Sequence, residues 1–540
     1  MRTTDRLLAV SVARGRPGPD AVGTRLGPGD TVAVVRVPHD HAYAEPSADD
    51  LRGRILSGKG LAELAAPYAA VAAEEGAVTV AADALGLRQT YGVQGDGWAA
   101  VGTSARALAR LAGAPLDHSA LGGYRLCGHF LQADTAFTGV RRLRAGHRWR
   151  LADGRLTELA GPAGETATVA VHSVDDAVRD VAALLRGSLE RLLDEHPDAV
   201  LELSGGLGSR LILAAVPPAR RAGLRVLTLR GAGTGDAEVA GRLVARYRMR
   251  HQVIDTARLG RLVPSDVHRL VNGASLRYEQ IHDLVRLALL DWVERQTDSG
   301  PRVGAWGGEL LRGPGYARQP AAPRVTAELV ERFAESRLFT RDALDGAALD
   351  PRLVAESRRE TVRRLQDVFA GFGGDWLRAT DAYHAQVRLP PVTGSTLTAA
   401  SLDHRVLAPL LDPRLLAVAD ALPPSAKRGS RFIARVLTSL DPELAAAPLD
   451  SGTRPRTLTH PLAKLLTTRR RAQPGAHGAA PTLTAALLAH WRATPGLLDP
   501  LFATDLVSAR WLQDALDART DPRQATVAYL ALLEAALTES

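Results

Sequence analysis

The pattern of apolar and polar positions changes character near residue 174. Before that point, short apolar segments alternate with turns rich in glycine, proline and aspartate, which is typical of antiparallel β-structure. Strands are predicted over residues 31–37, 77–82 and 98–102. The pattern also predicts a short helix over residues 105–112 and a strand pair over residues 139–151, with residues 145–147 as its turn. The first 160 residues are therefore predicted to be β-rich and antiparallel.

The pattern after residue 174 alternates between helical and strand-like segments. Residues 175–193 have the apolar spacing of a long amphipathic helix. Strands are then predicted over residues 199–203, 224–230, 251–255 and 303–305, and helices over residues 209–215 and 237–246. Strands that alternate with helices indicate a doubly wound parallel sheet. Beyond residue 326 the pattern predicts helices almost throughout, with a loop over residues 474–481.

Length and local composition predict how these regions are organised. The chain has 540 residues, which is more than a single hydrophobic core usually supports. Residues 161–170 are rich in glycine, alanine and threonine, as linkers often are. We therefore predict an α/β protein of two domains, residues 1–160 and 174–540, joined by a linker over residues 161–173.

The charge distribution does not point to a polyanionic partner. The formal net charge is +8, but acidic residues are interleaved with the arginines along most of the chain. The compact basic run Arg469, Arg470 and Arg471 is not accompanied by a recognised nucleic-acid-binding motif, so we expect no nucleic-acid partner. No apolar run approaches the length of a membrane span, and no signal peptide is visible. These features predict a cytoplasmic protein with no membrane partner.

The most informative segment lies between the first predicted parallel strand and the helix after it. There the chain reads Ser204, Gly205, Gly206, and then Ser209 and Arg210 at the start of the helix. Glycines let the backbone approach an anion, and the amides at a helix N-terminus point towards it. These five residues are therefore candidates for binding a phosphorylated cofactor. A tight structural turn is the alternative interpretation.

This segment resembles the Ser-Gly-Gly-x-Asp-Ser pyrophosphate loop of asparagine synthetases, β-lactam synthetases and lasso-peptide macrolactam cyclases. Residues 204–209 match every fixed position except one, because Gly208 stands where the aspartate belongs. Residues 304–310 resemble the family's Gly-x-Gly-Gly-Asp-Glu-Leu segment. Here Gly308 replaces the aspartate, and Trp306 stands where a glycine is usual.

Further segments resemble the same family in the same order along the chain. They are residues 137–147, 226–230, 236–240, 407–415 and 427–436, together with His251. The resemblance implies an N-terminal antiparallel domain of the glutaminase type. It also implies a C-terminal domain like the ATP-pyrophosphatases, with a doubly wound parallel sheet and a helical extension.

The resemblance implies a chemistry that this chain is poorly equipped to perform. Enzymes of the family use ATP and magnesium to adenylate a carboxylate, and a nitrogen nucleophile then displaces AMP. Magnesium prefers carboxylate oxygens, which the family supplies from one aspartate in each loop. Gly208 and Gly308 offer none, so ATP and magnesium binding is expected to be weak. Asp236, Glu238 and Glu309 are the weak candidates for relocated metal ligands, although Asp236 and Glu238 are equally suited to capping a helix.

The catalytic candidates are also weak. Residues 449–457 resemble the passage in which the family carries a catalytic lysine, but this chain has Arg454 and Arg456 instead. Tyr278 and Glu279 lie near the place where relatives bind substrate, and such a pair can polarise an amine. Adjacent helical residues do not face the same way, however, so a packing role is favoured for this pair.

The N-terminal region departs from the glutamine-hydrolysing relatives. Arg2 stands at the position of their nucleophilic cysteine, which predicts that glutamine is not hydrolysed. Cys127 is the only cysteine and is predicted to be a small core residue. With one cysteine, neither an internal disulfide nor a cysteine-based metal site can form. His39 and His41 are predicted to be loop histidines rather than metal ligands.

Three functional hypotheses remain open. The first is a degenerate amide ligase that acts in peptide natural-product biosynthesis as a partner of a precursor peptide or of another enzyme. The second is an active ATP-dependent ligase of the lasso-peptide type with relocated metal ligands. The third is an unrelated basic binding protein. Nucleotide binding with and without magnesium distinguishes the first two, and salt-dependent nucleic-acid binding would favour the third.

Overall fold

The computed structural model describes most of the chain but not all of it. The described residues are 2–3, 8–12, 32–35, 46–159, 172–231, 235–278, 283–298, 300–316, 319–339, 344–349, 351–459 and 480–538. The predicted linker segment 161–170, the loop segment 474–479 and the basic run at 469–471 lie outside these residues, as do His39, His41 and Glu279.

Two sheets form in the N-terminal region. Their strands are β1 (Arg2–Thr3), β2 (Leu8–Val12), β3 (Val32–Val35), β4 (Ala69–Glu74), β5 (Ala77–Ala82), β6 (Tyr91–Gln94), β7 (Trp98–Gly102), β8 (Arg141–Arg142), β9 (Arg148–Ala152) and β10 (Arg155–Leu159). One sheet has the order β1-β3-β4-β5-β9-β10 and the other β2-β7-β6-β8. All neighbours are antiparallel except β1 and β3. The predicted antiparallel, β-rich region is confirmed.

The predicted strand pair over residues 139–151 is wrong. Both strands form, but β8 pairs with β6 in one sheet and β9 pairs with β5 and β10 in the other. The turn between them exists, since the His147 amide donates to the Arg144 carbonyl over 3.0 Å. Its Gly146 amide also donates to the Asp83 carbonyl over 2.9 Å. The hydrogen bond to Asp83 helps to hold this turn. The turn connects β8 in one sheet to β9 in the other, so the two strands do not form a hairpin.

A five-stranded parallel sheet forms the centre of the C-terminal region. Its strands are β11 (Val200–Glu202), β12 (Arg225–Arg230), β13 (Arg250–Asp255), β14 (Arg302–Val303) and β15 (Val406–Leu407). Their order is β13-β12-β11-β14-β15, and every pair is parallel. The predicted parallel sheet is therefore confirmed, with β15 as a strand that the pattern did not predict.

Helices make up most of the remaining structure. The α-helices are α1 (Ala48–Ser57), α2 (Ala105–Ala112), α3 (His118–Cys127), α4 (Val174–Glu195), α5 (Leu207–Ala215), α6 (Asp236–Tyr247), α7 (Pro264–Tyr278), α8 (Leu284–Glu294), α9 (Ala327–Phe333), α10 (Pro351–Phe372), α11 (Trp376–Tyr383), α12 (Leu389–Asp403), α13 (Pro413–Ala421), α14 (Pro424–Lys427), α15 (Arg431–Leu440), α16 (Pro442–Ala446), α17 (Pro455–Leu458), α18 (Ala480–Ala493), α19 (Asp499–Phe502), α20 (Ala509–Leu516) and α21 (Gln524–Leu537). Short 3-10 turns include Gly308–Leu311 and Pro409–Leu411, and Ala334–Leu338 and His384–Arg388 are π-helical.

The central strand β11 is covered on both faces, as expected for a parallel sheet. Successive side chains of a strand point to opposite faces. Val200 accordingly packs into a core shared with α7 and α8, and Leu201 into a core shared with α4, α5 and α15. By the same alternation, Glu202 is on the face of Val200 and is directed towards α8. An acidic side chain therefore lies on the face of the sheet that packs against α7 and α8.

The largest apolar core contains residues from both predicted domains. It includes Tyr91 and Val93 of β6 and Leu530 and Leu533 of α21. Cys127 is buried in a separate core with Phe369 and others, so the prediction that it is a core residue is confirmed. Among the described residues, no helix has the length and apolarity that a membrane crossing requires.

Candidate functional site

A cavity of about 500 Å³ lies at the carboxyl ends of the parallel strands. Ligands of open α/β sheets commonly bind at this edge. The cavity is bounded by the ends of β11 and β12, the loop after β14, the N-terminus of α5, and helices α8 and α12. Its lining residues are Glu202, Leu203, Ser204, Gly206, Leu207, Gly208, Ser209, Leu227, Leu229, Gly231, Asp236, Thr256, Arg286, Leu290, Val293, Glu294, Ala305, Trp306, Glu309, Arg312, Val392, Thr393, Thr396 and Ala400.

The Ser-Gly-Gly turn borders this cavity, but its amides are already engaged. The Ser204 amide donates to Ser209 Oγ, and the Gly206 amide donates to Ser204 Oγ, each over 3.1 Å. The two hydroxyl oxygens are also 3.1 Å apart. The Gly205 amide donates to Asp236 Oδ1 over 2.7 Å. The amides of residues 204–206, which the sequence suggested as anion donors, are therefore satisfied within the protein.

Carboxylates reinforce this arrangement. Burial raises the pKa of Asp236, the hydrogen bond from the Gly205 amide opposes that shift, and the charge of Asp450 adds to it. A Cβ atom on Gly205 would lie 2.6 Å from Asp450 Cβ, so only glycine fits between the two acidic residues. A phosphate brought to this turn would face two carboxylates. The charge of Asp450 also interacts with the buried Arg210, and no side chain caps the N-terminus of α5.

The side chain of Arg210, a predicted cofactor-binding residue, points away from the cavity. Its fully buried guanidinium donates to the carbonyls of Ala447 over 2.6 Å and Pro448 over 3.0 Å. Nη1 also reaches the Leu444 carbonyl over 3.5 Å. Arg210 is not among the residues that line the cavity. Its position one turn into α5 directs it towards the segment after α16, so it fastens that segment to the sheet.

The two glycines at the expected metal positions face different surroundings. Gly208 lines the cavity, and a Cβ atom there would lie 3.0 Å from Ala305 Cβ. Gly308 does not line it, and a Cβ atom there would point at Leu410 Cδ1 at 2.9 Å. The expectation that both positions face a ligand is therefore wrong for Gly308. The 3-10 turn that begins at this residue directs it into the apolar core.

The alternative metal ligands are not assembled either. Asp236 and Glu309 line the cavity, whereas Glu238 is exposed outside it. Throughout the described ranges, no group of three or more His, Cys, Asp or Glu side chains is arranged to hold a metal ion. Magnesium requires near-octahedral oxygen coordination, usually with carboxylates and waters. The donor set of this cavity does not fit magnesium at the positions that the resemblance implies.

Glu309 lies beside two polar side chains at the cavity wall, those of Thr393 and His384. Thr393 Oγ1 donates to its Oε1 over 3.1 Å, and His384 Nε2 lies 3.8 Å from the same atom. Burial alone would raise the pKa of Glu309, but the nearby His384 outweighs it and lowers the pKa to about 2. Glu309 is therefore ionised throughout the physiological range. His384 begins a π-helical segment, a feature that is frequent at functional sites.

Two further carboxylates of the cavity were missed from the sequence. Glu202 ends β11, and Glu294 ends α8. Glu294 accepts from Arg302 Nε over 3.3 Å, and its Oε2 lies 3.4 Å from His404 Nε2. Burial, and next the charge of Glu294, raise the pKa of Glu202 to about 8, although Arg302 opposes the shift. The available indication was an acidic residue between two leucines in a strand predicted to be buried.

The remaining candidate residues lie elsewhere. Tyr278 is buried and donates its hydroxyl to Asp291, which also accepts from Arg277, so it belongs to the contact between α7 and α8. Arg454 and Arg456 are exposed and do not line the cavity. Their segment does contact the turn, because the amide of Asp450 donates to the Gly205 carbonyl over 3.1 Å.

Comparison with known proteins does not add a family. A scan against protein-family models finds no match to this sequence, and a search of curated proteins finds none either. The resemblance to asparagine synthetases therefore rests on the motifs of the sequence itself.

Proposed function

We propose that this chain is a degenerate amide ligase, similar to asparagine synthetases and lasso-peptide cyclases, that binds rather than adenylates. It would act in peptide natural-product biosynthesis as a partner of a precursor peptide or of another enzyme. The observation that carries the proposal is the state of the Ser-Gly-Gly turn. The amides of residues 204–206 donate their hydrogen bonds to side chains of the protein itself, and Asp236 and Asp450 lie beside them.

The physical reason is electrostatic. Pyrophosphate carries dense negative charge, so an adenylating site must supply cations and free donors where that charge develops. Here four acidic side chains line the cavity, namely Glu202, Asp236, Glu294 and Glu309, against two arginines, Arg286 and Arg312. Glu202, with a pKa of about 8, keeps its proton near neutral pH, so the excess of negative charge comes from the other three. A site with this balance disfavours a triphosphate. An otherwise well-formed cavity of about 500 Å³ is nevertheless large enough to hold a side-chain-sized ligand.

The resemblance also assigns roles to the two regions of the chain. The N-terminal sheets would correspond to a glutaminase-type domain that is kept as a scaffold. The parallel sheet would correspond to an ATP-pyrophosphatase-like domain with a helical extension. ATP, if it binds, is expected to bind weakly and without a magnesium requirement.

Co-expression tests the partner role. The tagged chain is produced with the enzymes and the precursor peptide encoded beside its gene, and the complexes are separated by size-exclusion chromatography. We expect a stable complex that contains this chain. Gly208→Asp, which alters only the cavity wall, should leave that complex intact. A chain that stays monomeric with every component, in a pathway whose product forms normally without it, contradicts the proposal.

An active ligase is the second candidate, favoured by one specific observation. Glu309 and Asp236 are both carboxylates of the same cavity, and Glu309 is ionised. On this alternative, ATP–pyrophosphate exchange should be measurable and magnesium-dependent in the purified chain. It should then fall by about 100-fold or more in Glu309→Gln, the usual scale for losing one element of leaving-group stabilisation. No exchange in either protein favours the degenerate ligase.

A further inference from the structure

The guanidinium of Arg312 lines the cavity without a partner among the residues that the structure describes. Arg312 follows the 3-10 turn Gly308–Leu311, and its backbone amide donates to the Glu309 carbonyl over 3.0 Å. Its side chain is partly buried, but it donates no hydrogen bond and forms no ion pair in that part of the chain. Arg286, the other arginine of the lining, already interacts with another residue. A planar guanidinium of this kind is well suited to bind a carboxylate.

The acidic side chains of the cavity do not take up this cation. Asp236, Glu294 and Glu309 each accept a hydrogen bond from another residue of the protein. Glu202, with a pKa of about 8, is largely protonated at pH 7. The charge of Arg312 helps to lower the pKa of Glu309, but the two side chains do not form an ion pair. Arg312 therefore remains available to an anionic group of a ligand.

Apolar side chains from three separate cores are left partly exposed around the same cavity. Leu229 and Leu290 lie at the edge of the core shared with α7 and α8, and Ala305 at the edge of the core around α4, α5 and α15. Trp306 lies at the edge of a third core, which contains residues of α12 and β15. Its indole lies against the backbone after β14, since a Cβ atom on Gly304 would lie 2.4 Å from Trp306 Cζ3. An apolar group of a ligand would remove this surface from water.

We propose that the cavity binds the carboxyl end of a peptide. The terminal carboxylate pairs with Arg312, and the side chain of the last residue packs against Trp306 and the leucines beside it. A terminal residue carries both groups on one carbon atom, and a cavity of about 500 Å³ is large enough to hold it. This inference deepens the proposed function, and it rests on the premise that the cavity binds a peptide without adenylating it.

Calorimetric titration of the full chain at pH 7 tests the inference. The probes are Nα-acetyl-phenylalanine with its free carboxylate, Nα-acetyl-phenylalanine amide, and Nα-acetyl-glycine. We expect Nα-acetyl-phenylalanine to bind about tenfold or more tightly than the amide, which lacks the charge, and than the glycine compound, which lacks the ring. Equal binding of the acid and the amide overturns the inference.

A fourth probe distinguishes the end of a peptide from an acidic side chain. Nα-acetyl-phenylalanyl-aspartate amide carries its carboxylate on a side chain and has no free terminus. We expect it to bind about tenfold or more weakly than Nα-acetyl-phenylalanine. Equal binding of these two probes contradicts the assignment to a peptide end.

Three variants connect the preferences to the proposed residues. Arg312→Gln should reduce the preference for the acid over the amide to less than about threefold and keep the preference for phenylalanine over glycine. Trp306→Ala should have the opposite effect on the two preferences. Arg242→Gln, an exposed position on α6 with the same change of charge, should retain both. A full preference for the acid in Arg312→Gln, or for phenylalanine in Trp306→Ala, overturns the assignment.

A second measurement stands even if these variants do not fold. Phenylglyoxal modifies accessible arginines, and mass spectrometry of the wild-type chain locates the modified positions. Saturating Nα-acetyl-phenylalanine should protect Arg312 from modification, whereas the amide at the same concentration should not. Absence of protection contradicts the role of Arg312. AMP formation from ATP, assayed on the same preparation, reports separately on the proposed function. Its appearance would refute the degenerate ligase without changing the result for the carboxylate.

Discussion

The raised pKa of Glu202 makes the stability of the folded protein depend on pH. Its folded-state pKa, about 8, lies above the ordinary value of 4.5 because of burial and the neighbouring Glu294. The folded protein therefore keeps a proton that the unfolded chain loses between these two values. The linkage makes stability highest below pH 4.5 at this position and lowers it as the pH rises towards 8.

This linkage predicts the behaviour of Glu202→Gln without any ligand. Glutamine is nearly isosteric with the protonated acid and does not titrate, so the variant should gain stability relative to wild type as the pH rises. Urea unfolding should show little difference at pH 4.5 and a gain on the order of a few kcal/mol at pH 8. A variant that is less stable than wild type at pH 8 would mean that the carboxylate is already paired.

Asp236 makes a structural contact that can be separated from any metal role. Its carboxylate accepts the Gly205 amide over 2.7 Å. Asp236→Ala leaves that part-buried donor without its partner, which should lower the free energy of unfolding by about 1–3 kcal/mol. Glu238→Ala, an exposed acidic position in the first turn of the same helix, is the control and should change it far less. Equal effects in urea denaturation would argue against the proposed contact.

At the scale of elements, local pattern predicted some strands but not their partners, and it missed β2, β4, β6, β10 and β15. The strands at 77–82 and 98–102 follow from apolar runs bounded by glycine turns. The pairing of β8 and β9 does not, because contacts distant in sequence place them in different sheets. The surroundings of Gly308 could not be predicted from local pattern either. Only the path of the 3-10 turn against Leu410 decides where a side chain at this position would point.

Arg210 shows how an element can be held by a residue predicted to bind a ligand. Its guanidinium fastens the segment after α16 to α5 through the carbonyls of residues 444, 447 and 448. Arg210→Ala should cost about 2 kcal/mol or more in urea unfolding, because buried acceptors lose their donor. Limited proteolysis should then cut first near residues 444–459. Unchanged stability together with lost ligand binding would restore the cofactor-binding role.

At the scale of the molecule, the sequence predicted the architecture but only part of the site. Strands alternating with helices are enough to predict a parallel sheet, and the sheet fixes where a cavity can form. Ser204, Gly206 and Ser209 do border that cavity. Glu294, Arg302 and His404 could not be found in advance, because α8, β14 and the residue after α12 meet one another only in the folded chain.

The same architecture explains why the proposed loss of catalysis need not destroy the fold. The Ser-Gly-Gly turn is stabilised by its own hydroxyls and by Asp236, so it needs neither phosphate nor metal to keep its shape. The turn is thus a structural connection between α5, α6 and the segment at Asp450. On the proposed function, a ligand would still bind at the neighbouring cavity without the chemistry that the resemblance implies.

On the proposed function, this cavity does not assemble a magnesium–nucleotide complex. The most direct measurement is calorimetric titration of the purified chain with ATP, in the presence and absence of magnesium, with AMP quantified at the end. We predict weak affinity that magnesium changes by less than about threefold, or under 1 kcal/mol, and no AMP above background. Affinity that rises about tenfold or more with magnesium, accompanied by AMP and pyrophosphate, would contradict the account.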